Sequence, residues 1–99
     1  MVFGMELGVV GASAATESGL ASELAGLAAG VAPALLSPVP MAADLDAPRF
    51  AAIAAAAGAQ HVGVAEQHAA ARGLYAGAQV LAVNTVVATE LMRAAAASL

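Results

Sequence analysis

The chain contains no cysteine, no tryptophan and no lysine, and aromatic residues amount to 3% of it. Without cysteine there is neither a disulfide nor a thiolate for catalysis or metal binding, and the redox compartment stays undetermined. Three arginines (Arg49, Arg72 and Arg93) face seven acids, for a formal net charge of −4. That balance gives no electrostatic footprint for nucleic acid or for an anionic membrane surface. Glycine-rich phosphate loops of the dinucleotide or Walker type are missing, and the glycines lie within helix-patterned segments instead of after strands. The stretch from Met1 to Gly11 carries Glu6 and no basic n-region, so it does not read as a Sec signal peptide despite the Ala12-Ser13-Ala14 that follows.

What is present is alanine. Hydrophobic residues make up 62% of the 99 residues, and alanine is the largest part of that share. Alanine favours helix but fills little volume. A single domain of this size buries only about 60–65% of its unfolded surface, so a two-helix fold is marginal alone and calls for a partner. Pro33, Pro38 and Pro40 fall within eight residues and are not expected inside one continuous helix, because proline lacks the backbone donor and clashes with the preceding turn. The chain is therefore expected to break once and turn back. A frayed start to about residue 8 precedes a first helix over about 9–32, with Leu20, Leu24, Leu27 and Val31 on one face. A proline turn over about 33–45 follows. The second helix begins at Asp46, read as its N-cap ahead of Ala47-Pro48, with Asp44 two residues upstream as a further capping acid, and runs to about Ala97. Such a helix is a rod of about 75 Å.

That rod carries two apolar lines. Phe50, Ile53, Ala57, Val64, Ala71, Leu74, Ala78 and Leu81 follow one, and Val80, Val83, Val87 and Leu91 the other. One face is expected to cover the first helix and the other to meet a partner, which makes Phe50, Ile53, Val64, Leu74, Val80, Leu81, Val83, Val87 and Leu91 the candidate partner-binding residues. The fold class is all-α: an antiparallel helical hairpin with a short first and a long second helix, completing a four-helix bundle with another hairpin. A homodimer and a heterodimer both satisfy this pattern. The mean hydropathy of +0.86 raises a transmembrane reading, but the best window, Gly73 to Met92, is interrupted by Gln79, Asn84, Thr85, Thr89 and Glu90, so no span is expected. The Gly26-x-x-x-Gly30 and Gly73-x-x-x-Gly77 spacings fit close helix packing in lipid or in water.

No catalytic constellation emerges. His61 and His68 share a helix face but stand about 10 Å apart along the axis, too far to ligate one metal. Glu66 lies near both in sequence, yet no nucleophile or oxyanion site accompanies it. Arg72 and Arg93 are expected to pair with acids of a partner, and Arg93 is also a neighbour for Glu90 three residues earlier. No enzyme activity, cofactor or metal is expected.

The turn Val39-Pro40-Met41-Ala42-Ala43-Asp44, the alanine-rich first helix and the long second helix, with Phe50-Ala51-Ala52 and Gly58-Ala59-Gln60, together resemble the PE family of mycobacterial proteins. The resemblance covers nearly the whole chain from about Met5. It implies a hairpin that pairs with a PPE-family protein into an elongated heterodimeric bundle, exported as a folded pair to the envelope or beyond by a type VII (ESX) secretion system. It also implies an EspG-type chaperone on the tip of the PPE partner, away from this chain. The family's export motif, Tyr-x-x-x-Asp/Glu, falls on Val86 to Glu90: the acid is present, whereas the tyrosine position holds Val86. Either the motif tolerates an apolar residue there, or the partner carries the signal, or this chain stays inside. The alternative is a self-associating homodimer similar in outline to the small WXG-type secreted proteins, although the chain lacks their tryptophan.

Overall fold

The computed structural model describes residues 4–99 and contains two α-helices joined by a bend. Helix α1 spans Leu7–Leu36 and helix α2 spans Asp46–Ala97, 30 and 52 residues respectively. They pack antiparallel as a hairpin with principal extents of 84 × 22 × 16 Å and a radius of gyration of 23.1 Å, against about 13 Å for a compact chain of this length. The all-α hairpin expected from the proline turn is thus the observed architecture. The first part of the expected frayed start, residues 1–3, lies outside the described residues.

Several local expectations are corrected. Helix α1 starts at Leu7, two residues ahead of the expected start at about 9, with the Val10 amide donating to the Glu6 carbonyl at 3.0 Å, and it runs straight through the glycines Gly11 and Gly19. It also continues past Ala32, so Pro33 lies inside it. The proline sits one turn from the end on an exposed side, so the Ala29 carbonyl that loses its partner is also at the surface and can bond to water. At the start of α2 the capping side chain is that of Asp44, one residue before the N-cap position Leu45, and not that of Asp46: the Asp44 Oδ1 accepts from the amides of Asp46 at 3.1 Å and Ala47 at 2.7 Å. One carboxylate so satisfies two of the four orphan donors of the first turn, while Pro48 sits where no donor is required. Asp46 is the first helical residue, and its carboxylate lies 3.9 Å from the Arg49 guanidinium.

The largest correction concerns the seam. Among the described residues the buried apolar ones are Ala14, Ala28, Val62, Ala69 and Ala76, and no large side chain is fully buried. On α1, Leu20 and Leu24 are half-buried but Leu27 and Val31 of the expected stripe are exposed. On α2 the inward line is Gly58, Val62, Ala65, Ala69, Ala76, Val83 and Val86. The Phe50 to Leu81 line, expected to be one of two faces available for covering α1, points away from it. Small side chains explain this: where both helices offer alanine or glycine at steps of three and four, the backbones come close and leucines are displaced to the rim. The backbones come close at Gly58, where a Cβ would collide with the Leu35 carbonyl group, 2.8 Å from its carbon.

The consequence is a surplus of surface. The chain exposes 7348 Å², whereas a folded monomer of its mass exposes about 5,000 Å².

Gly58→Val is expected to part the helices near the turn and to lower the urea midpoint, by about 1–3 kcal/mol of stability. Gly73→Ala, which enters open space, is expected to raise stability by about 0.5–1 kcal/mol. Far-UV circular dichroism during urea unfolding measures both.

Candidate partner-binding surface

Because the seam of α2 repeats at steps of four and three, residues seven apart return to the same side of the helix, and Ile53, Leu74 and Leu81 fall on the side opposite α1. They are 70%, 77% and 66% exposed. Phe50, Val64, Val80, Val87 and Leu91 are exposed too. Val83 alone of the candidate partner residues is half-buried, because it belongs to the seam. A run of large apolar side chains along one helix, with small residues inside, inverts the usual arrangement of a stable monomer.

Two shallow grooves flank the seam. One is lined by Ala21, Ser22, Ala25, Ala29, Ala69 and Ala70, with Glu66 as its only charge. The other is built from Leu24, Leu27, Val31, His61 and Val62, and continues toward Glu17, His68, Arg72 and Tyr75. Gly26, Gly30, Gly73 and Gly77 are exposed with open space beside them, so the two Gly-x-x-x-Gly pairs do not serve contact within the hairpin. At the turn, Pro38, Pro40, Met41, Ala47, Phe50 and Ala54 line an open hollow of about 400 Å³, with Met41 and Phe50 largely exposed.

Two polar contacts cross the seam. Arg72 Nη1 donates to Glu17 Oε2 at 2.9 Å, with the Glu17 side chain only 20% exposed. Gln79 Nε2 donates to Ser13 Oγ at 2.8 Å, while Gln79 Oε1 is buried without a hydrogen-bond partner. Arg72 was expected to reach an acid on another chain; here it is engaged within its own, because Glu17 falls on the seam and not on the solvent face. A three-four count started from Ala14 on α1 passes through Glu17, and one started from Ala69 on α2 passes through Arg72.

Of the remaining candidates, Val86 is half-buried and lines a hollow of about 580 Å³ with Met5, Val10, Thr89, Glu90 and Arg93. Arg93 Nη1 donates to Glu90 Oε1 at 2.9 Å, both exposed. His61 and His68 are exposed, and no group of three potential metal ligands occurs among the described residues. Both helices are long and apolar enough to cross a membrane by length and composition. No family model, curated protein or solved structure matches the chain.

Ser13→Ala is expected to cost about 1 kcal/mol, since it leaves the Gln79 amide without its seam partner. Ser13→Ala combined with Gln79→Leu is expected to recover that loss, because both polar groups are then removed together. A double-mutant cycle by urea denaturation reads the coupling.

Proposed function

We propose that this chain is the smaller, non-catalytic subunit of a heterodimeric four-helix bundle: a PE-like hairpin that pairs with a PPE-family protein and leaves the cytoplasm as a folded pair through a type VII secretion system. The observation that carries the reading is the inverted distribution of side chains, alanine inside and Phe50, Ile53, Leu74 and Leu81 outside. The excess surface over a compact monomer, about 2,300 Å², matches what one partner contributes to a large obligate interface. The alanine-lined seam contributes too little apolar burial to hold so long a hairpin without help. An EspG-type chaperone would contact the PPE partner and leave this chain untouched.

A membrane hairpin is the reading that the apolar length of both helices favours. Length argues against it: 52 residues extend about 78 Å, and a bilayer core needs about 30 Å. The Glu17–Arg72 pair would also lie at membrane depth, where charge is costly. We therefore read both helices as bundle helices.

Co-expression with the PPE-like product of the neighbouring gene, followed by size exclusion with light scattering, is expected to give a soluble one-to-one complex. Leu74→Asp with Leu81→Asp is expected to abolish it. A homodimer that ignores the candidate partner would support the WXG-like alternative instead, and recovery only in detergent micelles would support the membrane hairpin.

Val86→Tyr restores the family's export pattern ahead of Glu90. If the missing tyrosine keeps this chain inside, secretion of the pair into the medium is expected to rise; unchanged secretion assigns the signal to the partner or to a motif that accepts valine.

A further inference from the structure

We draw no further inference here: the strongest candidate, the apolar strip that Ile53, Leu74 and Leu81 form on the side of α2 opposite α1, carries nothing beyond the pairing already proposed, because nothing in the structure shows what covers it.

Discussion

The close approach of two alanine-lined helices governs the rest of this molecule. Helices meet at the distance their contact residues permit, and here those are Ala14, Ala28, Gly58, Ala69 and Ala76. At Gly58 even one methyl group has no room against Leu35. Where the backbones are that near, a leucine does not fit squarely between them, and Leu20 and Leu24 reach only half-buried positions. Leu27, Leu74 and Leu81 therefore stand outside, and the apolar exterior follows from the small interior.

A seam of methyl groups specifies register poorly, because sliding one helix past the other by a turn exchanges alanine for alanine. The polar contacts supply what the packing lacks. Glu17 with Arg72 and Ser13 with Gln79 tie one half of α1 to one stretch of α2, and Gly58 against Leu35 fixes the end nearest the turn. A shift by one turn would break both polar contacts and drive a side chain into the Leu35 carbonyl. The unpartnered Gln79 Oε1 lowers the net gain from this arrangement, and buried polar groups are elsewhere retained at such a cost for register.

The hairpin and its two helices were legible because proline acts locally: three prolines around one break and an aspartate ahead of Ala47-Pro48 point to a turn whatever the helices touch. The seam was illegible for the opposite reason. Periodicity ranks faces by hydrophobic bulk, and the bulky lines of Leu20 to Val31 and Phe50 to Leu81 outscore any line of alanines. Which face turns inward is settled by how near the backbones come, which no count of hydrophobic residues measures. The exchange of Asp46 for Asp44 as the cap is a smaller case of the same kind. Both acids have suitable side chains, and the fold of the bend decides which carboxylate reaches the free amides.

The unequal helix lengths carry the argument one step further. With Leu35 opposite Gly58 and Ser13 opposite Gln79, antiparallel pairing leaves both ends of α2 beyond the reach of α1. At the turn Pro38, Pro40 and Met41 line a hollow with Phe50, yet Met41 and Phe50 stay largely exposed. At the other end Leu91 and Met92 are exposed, and every residue from 91 to 99 is at the surface. An uncovered helix end of alanine and leucine has no tertiary packing to hold it, and helical stability in proteins comes mostly from such packing. The length of α2 is thus a demand that α1 cannot meet, and a partner of the kind proposed would have to run beside α2 from Phe50 to Leu91 to meet it along with the apolar strip between.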